Sequence, residues 1–256
     1  MKCFLNVFAL PSLVSPDELA GSTAVVIDIL RASTTMIHAL EAGASAIVPC
    51  LEVEEAREVA SRFPPGEAVL GGERKGIRID GFDLANSPTE YTPASVGGRT
   101  VVFTTTNGTR ALSRCRTAAT VYIGAFVNAT AVARRLMAVE QIHLVCAGTA
   151  GQYSRDDVLF AGMLVERLQR LSGLPYQLNV QALTARENWV SSFAVPYATG
   201  AETLDPDLLA AELRKSVAGR NVVAIGREED IQTAAQIDRF TSVPQLDIPS
   251  FRVRLP

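Results

Sequence analysis

Histidine, cysteine and tryptophan are scarce in this chain: two His, four Cys and one Trp among 256 residues. His38 falls in an apolar helical segment and His143 inside a strand-like run, so both read as structural and neither forms a phosphohistidine signature. Cys3, Cys50, Cys115 and Cys146 make no CxxC pair and sit mostly among apolar residues. The expectation is reduced core thiols in a cytoplasmic protein, not a disulfide framework. No apolar run approaches the roughly 20 residues of a membrane span, and Met1–Phe8 is too short and too polar for a signal peptide. Neither sign of charge dominates: 24 Lys+Arg against 27 Asp+Glu leave −3. That balance argues against nucleic acid as a partner, though it leaves room for a local basic pocket.

What is present is apolar material in short, punctuated runs. Hydrophobic residues make up 48% of the chain and charged residues 20%, enough to build a sizeable core. Apolar runs alternate with segments of helical period, the pattern of an α/β fold with a largely parallel sheet flanked by helices in three layers. Met1–Phe8 alternates like a strand. Strands are expected at 24–29, 46–48, 68–70, 100–103, 120–123, 141–146 and 221–225, with an edge strand near 251–253. Helices are expected at 34–42, 53–63, from about 109 to 116, 128–138, 156–171, 205–216 and 228–240. Residues 71–98, rich in Gly, Pro, Asn and Asp, read as a long ordered loop, which is uncommon unless functional. Residues 181–200 show no clear pattern. The chain reads as one unit over 1–256, with Ser172-Gly173-Leu174-Pro175 as the place where two lobes would divide, near 175–180.

Ligands of open α/β sheets collect at the carboxyl ends of the strands, where helix N-termini attract anions. Three strand-to-helix turns here are rich in hydroxyls and small residues. The first, Asp28-Ile29-Leu30-Arg31-Ala32-Ser33-Thr34-Thr35, puts an acid at the end of a strand; Ser33 and Thr34 are equally readable as ordinary helix caps. An acid inside the run AVVIDI needs a partner or a metal. The second, Thr104-Thr105-Thr106-Asn107-Gly108-Thr109-Arg110, forms a hydroxyl-lined turn suited to an anion. The third runs from Ala147-Gly148 to Ser154-Arg155-Asp156-Asp157, where Ser154 has a capping role as its plain reading. It lacks the GK[ST] of a P-loop, so ATP is not indicated. A fourth segment, Gly71-Gly72-Glu73-Arg74, opens the loop that carries Lys75, Arg78, Asp83, Asn86 and Ser87. Together the segments offer Arg31, Arg74 and Arg110 for anionic groups. They offer Asp28, Glu73, Asp83, Asp156 and Asp157 for a hard cation such as Mg²⁺. Acids beside phosphate-type turns suit phosphoryl transfer, which depends mainly on positioning and charge stabilisation. The Asp28 segment is not the DxDxT motif of the haloacid-dehalogenase phosphatases.

At these segments the sequence resembles the 2-phosphosulfolactate phosphatases of coenzyme M biosynthesis. The matching stretches are VVIDILRASTT (25–35), LGGERKGIRIDGFDLANSPTEY (70–91), TTTNGTRAL (104–112) and CAGTAGQYSRDD (146–157), with a weaker match in GREEDIQTAAQIDRF (226–240). They span most of the chain in order. The resemblance implies a family-specific α/β fold and Mg²⁺-dependent hydrolysis of phosphosulfolactate to sulfolactate and phosphate. Asp28, Arg31, Glu73, Arg74, Asn86, Ser87, Thr105, Asn107, Gly108, Thr109, Gly148 and Asp157 fall on its motif positions. The family often has Glu where this chain has Asp156, which withdraws that carboxylate by about one methylene.

The resulting expectation assigns Asp28, Arg31, Glu73, Arg74 and Asp157 to catalysis, with Asp28, Glu73 and Asp157 holding Mg²⁺ directly or through water. Ser33, Thr34, Asn86, Ser87, Thr105, Thr106, Asn107, Gly108, Thr109, Arg110, Gly148 and Ser154 are assigned to the substrate, a small anionic phosphate ester. Attack by metal-activated water and attack by Asp28 itself both fit. Two other functions also fit: a phosphatase for a different small 2-hydroxy-acid phosphate, and a non-catalytic anion-binding protein. A homo-oligomer is left open.

Overall fold

The structure is a computed structural model and describes residues 3–193 and 204–256. The strands are β1 (Phe4–Phe8), β2 (Thr23–Ile27), β3 (Ala46–Cys50), β4 (Ala68–Arg74), β5 (Ile77–Arg78), β6 (Thr100–Thr104), β7 (Thr120–Gly124), β8 (Gln141–Cys146), β9 (Gln177–Leu178), β10 (Gln245–Asp247) and β11 (Arg252–Arg254). The helices are α1 (Pro16–Leu19), α2 (Ala32–Glu41), α3 (Val53–Ser61), α4 (Pro93–Val96), α5 (Gly108–Arg114), α6 (Ala129–Leu136), α7 (Arg155–Leu171), α8 (Val180–Ser192), α9 (Pro206–Arg214), α10 (Val217–Ala224) and α11 (Glu228–Ala234).

The strands form one mixed, mostly parallel sheet in the order β5-β4-β6-β3-β11-β10-β7-β2-β8-β1-β9. Two parallel blocks are visible in it. In one, β3 and β4 flank β6. In the other, β7, β2, β8, β1 and β9 lie side by side. The C-terminal hairpin β10–β11 joins the blocks, pairing antiparallel with β7 on one side and β3 on the other. Read through these pairings, the two blocks run in opposite senses. Sheet twist of about 20–25° per step turns the strand direction by roughly 100–125° over the five steps from β2 to β6, which offsets much of that reversal.

Continuous apolar runs make the central strands, as expected for strands covered on both faces. Ala24 to Ile27 of β2 and Leu144 to Cys146 of β8 are fully buried. Phe126, Phe160 and Trp189 form an aromatic cluster, with Phe126 stacked edge-on to Phe160 at 5.1 Å. This cluster seats α7 and α8 against the core. Asn179 starts α8: its Oδ1 accepts from Ala182 N–H at 2.8 Å, and its amide also pairs with the Val7 backbone of β1.

Several sequence expectations change. Residues 221–225 are helical, not a strand. Ser216 Oγ caps α10 through Gly219 N–H at 2.8 Å, and Ala218 and Val222 bury one helical face. Packing at helical spacing outweighs the β-branched composition of that run. The tail strand is not an edge: β11 lies inside the sheet, with Val253 buried between β3 and β10. The last helix stops at Ala234, well before Phe240. The 71–98 segment contains the β4–β5 hairpin and α4 as well as loop. Residues 181–192, patternless in sequence, lie in α8; residues 194–200 fall outside the described residues.

Candidate active site

The β2–α2 turn is built by its own hydroxyls. Ser33 Oγ accepts from Asp28 N–H at 3.0 Å and donates to Val26 O, while Thr34 Oγ1 donates to Ile29 O at 2.8 Å. Both hydroxyls are fully buried. Their bonds shape the turn, and neither side chain reaches the cavity beside it. Asp28 Oδ1 accepts from Ala32 N–H at the start of α2, at 3.1 Å. Its Oδ2 lies against Gly108, where an added Cβ would stand 2.8 Å from it and 2.5 Å from Ala32 Cβ. Gly108 therefore lets the second turn close onto Asp28.

Three long-range bonds bring the other turns to this point. Asp157 at the start of α7 accepts from Ile29 N–H at 2.8 Å and from Gly148 N–H at 3.0 Å. Glu73 accepts from Thr106 N–H at 2.8 Å and, within its own hairpin, from Gly76 N–H at 2.6 Å. Asn107 Oδ1 accepts from Ala150 N–H at 3.2 Å. Four segments that are distant in sequence thus meet at one rim.

They enclose a cavity of about 450 Å³. Asp28, Arg31, Glu73, Asn86, Thr105, Thr106 and Asn107 line it, joined by Lys75, Thr149 and the α10 residues Asn221 and Val222. Two polar atoms here, Asn86 Oδ1 and Thr106 Oγ1, are buried without a protein partner. Buried polar atoms normally have partners, so these two are open to a ligand; the other two such atoms among the described residues, Thr35 Oγ1 and His38 Nε2, lie away from the cavity. Arg31 is held between Asp230 Oδ2 and Gly76 O, each at 2.7 Å, and Ser87 Oγ donates to Asp230 Oδ1 at 2.5 Å.

Other sequence-predicted residues stand outside the cavity. Arg74 donates to Glu73 O, Leu51 O and Thr104 Oγ1 and faces away. Arg110 is exposed and lines a separate groove with Ser12 and Glu52. Ser87, Gly108, Thr109, Gly148, Ser154 and Asp157 support the walls from behind. Thr109 bonds back to Thr105. Ser154 links Thr149 Oγ1 at 2.8 Å to Asp156 at 2.5 Å. Asp83 is exposed and accepts from Leu70 N–H. His38 packs edge-on to Phe240 and His143 bonds Glu18 O, both away from the cavity.

Sequence reasoning missed Asp230, Thr149 and the α10 wall. Asp230 lies inside the weakly matching 226–240 stretch, which was its only available signal. Nothing in the sequence of 217–225 reveals that this stretch faces the 28–31 turn.

Electrostatics set the site apart. Burial pushes Asp28 up to about 7; nearby Asp156 and Glu73 add to the rise, while the Ala32 N–H and Arg31 oppose it. Burial also raises Asp156, and it raises Asp157 far above the ordinary carboxylate range, with Asp156 and Asp28 contributing. Concentrated negative charge of this kind is relieved by protons or by a cation. Among the described residues, no three His, Cys, Asp or Glu side chains form a ready-made metal cage. Mg²⁺ needs no such cage, since one or two carboxylates with water and substrate phosphate commonly suffice. Asp28 and Glu73 on one cavity wall, beside the orphaned Asn86 and Thr106 oxygens, fit that requirement. Asp157, unlike Asp28 and Glu73, does not line the cavity.

An α/β sheet with an acidic, hydroxyl-lined pocket where four turns meet defines the class of protein. The model of the 2-phosphosulpholactate phosphatase family matches residues 8–248, and this chain belongs to that family. A relative from Symbiobacterium thermophilum, named "probable 2-phosphosulfolactate phosphatase", is 42% identical over 229 residues, covering 89% of this chain and 92% of its own. Relatives of the same name from Synechococcus sp. and Caldanaerobacter subterraneus subsp. tengcongensis are 38% and 35% identical over at least 95% of both chains.

Proposed function

We propose that this chain hydrolyses 2-phosphosulfolactate to 3-sulfolactate and phosphate, with Mg²⁺ as cofactor. Its relatives carry the name of this activity. The observation that carries the reading is one cavity lined by Asp28, Glu73, the 105–107 turn and two cationic side chains, Arg31 and Lys75. A substrate with phosphate, carboxylate and sulfonate groups needs more than one cation to leave water.

In this reading the phosphoryl group sits beside Asp28, under Thr105, Thr106 and Asn86. Arg31 keeps donors beyond the two used on Asp230 and Gly76, and these face phosphoryl oxygens. Asp230 and Ser87 hold the guanidinium in place. When bound, Mg²⁺ held by Asp28 and Glu73 would neutralise phosphoryl charge and acidify water. Water, or the Asp28 carboxylate, attacks phosphorus. The bond from phosphorus to the substrate's bridging oxygen breaks, and that oxygen takes a proton as sulfolactate leaves. If Asp28 attacks, a second water then hydrolyses the aspartyl-phosphate.

The test is phosphate release from 2-phosphosulfolactate with and without Mg²⁺. Release that is lost on chelation and restored by Mg²⁺ is the expected result. Phosphate or sulfonate binding with no hydrolysis at any Mg²⁺ concentration would refute the reading. Rapid-quench trapping of ³²P on the protein, absent in Asp28→Asn, would separate the covalent route from direct attack by water.

A further inference from the structure

We propose that Lys75 is the specificity-determining residue for the substrate's sulfonate, the anionic group farthest from the reacting phosphorus. The assignment rests on the phosphatase reading above.

The first observation is charge. Two cationic side chains line the cavity, Arg31 and Lys75. Arg31 shares its charge with the fully buried Asp230 and offers the substrate only its remaining N–H donors. Lys75 has no carboxylate within ion-pair distance among the described residues. Among the described residues it is the cavity-lining cation that no carboxylate pairs with.

The second observation is the backbone that presents it. Arg74 pairs with Ile77 across the β4–β5 hairpin, so the loop is Lys75-Gly76 alone. Both residues have positive φ, 54° and 82°, which makes a type I′ turn. The first position of such a turn favours Asn, Asp or Gly, because other L-residues are strained there. A lysine here costs stability that an asparagine would not. Departures from local preference of this kind concentrate at functional sites.

The third observation is position. Glu73 and Thr106 mark the phosphate side of the hairpin. An added Cβ at Gly76 would touch Ile225 Cδ1 at 3.2 Å and lie 3.9 Å from Arg31 Nη2. The turn therefore stands between the Asp28 end and the α10 wall formed by Asn221, Val222, Ala224 and Ile225. That wall comes from α10 and Ile225, the residue that caps its C-terminus, with Ala218 of its first turn lining the same cavity. A sulfonate lodged there needs a full positive charge beside it, and Lys75 supplies one as a compact, mobile ammonium.

The experiment compares 2-phosphosulfolactate with 2-phospholactate, which lacks only the sulfonate, in wild type and in Lys75→Asn. Lys75 is exposed, and a charge pair at an exposed side chain is worth about 2- to 5-fold in affinity. The variant is therefore expected to lower the ratio of the two kcat/KM values by about 2- to 5-fold, through a higher KM for the sulfonated ester. Its thermal midpoint should be at or above that of wild type, since Asn suits the turn. Lys75→Arg should restore most of the ratio. As a readout independent of turnover, sulfolactate should protect wild type more than Lys75→Asn from thermal unfolding, in the presence of phosphate. An unchanged ratio, or equal losses on both esters, would overturn the assignment while leaving the phosphatase reading intact. A wild-type protein that hydrolyses neither ester would overturn both.

Discussion

Asp28 shows how one side chain can be unfavourable for the fold and useful to the site. Its carboxyl is buried and held near 7 instead of at the usual 3.8. The folded state therefore binds a proton that the unfolded chain releases between about pH 4 and pH 7. Stability from this group is present below the unfolded value and is lost as pH rises through the folded one. Asp28→Asn should consequently melt higher than wild type at pH 7.5 without metal, and the difference should vanish near pH 4. Activity should fall to background. Millimolar Mg²⁺ should raise the melting temperature of wild type more than that of the variant, because the ion stabilises only a protein that binds it. Thermal melts across pH, with and without Mg²⁺, check the two stability points, and phosphate release checks activity. A variant that melts lower at every pH would contradict this account of the acid.

At the scale of elements, the site depends on a helix that the reacting turn does not touch in sequence. α11 delivers Asp230, which sits 199 residues from Arg31 and bonds it at 2.7 Å with both side chains buried. Burial raises the Asp230 carboxyl, while Ser87 and Arg31 pull it back down. Removing one member of a buried pair strands the other charge, at a cost of about 3–5 kcal/mol. Asp230→Ala should therefore lose stability of that order in urea denaturation and should weaken binding of inorganic phosphate. A loss below about 1 kcal/mol would mean that Arg31 finds water or another acceptor. The same dependence explains the expectations that failed here. A strand at 221–225 is a fair reading of Asn-Val-Val-Ala-Ile alone, but the Ser216 cap and the buried face of α10 decide for helix. Arg74 and Arg110 looked equivalent to Arg31 because each follows a glycine- or hydroxyl-rich turn. Pairing of β4 with β6 turns Arg74 toward Leu51 and Thr104 instead.

For the whole molecule, the C-terminal hairpin has an importance out of proportion to its length. β10 and β11 are three residues each, yet they alone bridge the β4-β6-β3 block to the β7-β2-β8-β1-β9 block within the sheet. Glu73 and Thr106 come from the first block and Asp28 and Asp157 from the second. Deleting residues 244–256 would leave β3 and β7 as open edges and take the buried Leu246 and Val253 out of the core. The truncated chain should lose the single cooperative transition in calorimetry and should associate in size-exclusion chromatography. A monomeric truncation with one sharp transition would show that the helices alone hold the blocks together.

The sequence determined the alternation of strands and helices, the buried character of β2 and β8, and the four segments that carry the chemistry. These follow from short-range causes: apolar runs, hydroxyl caps and glycine turns act within a few residues and can be read where they stand. Only the tertiary structure decided which side chains look into the cavity. It turned Ser33, Thr34 and Asp157 into braces, sent Arg74 and Arg110 elsewhere, and brought Lys75, Asp230 and α10 to the rim. Those outcomes depend on how a twisted sheet brings distant strand ends together, a geometry set by pairing across the whole chain, to which no local stretch of residues holds the key.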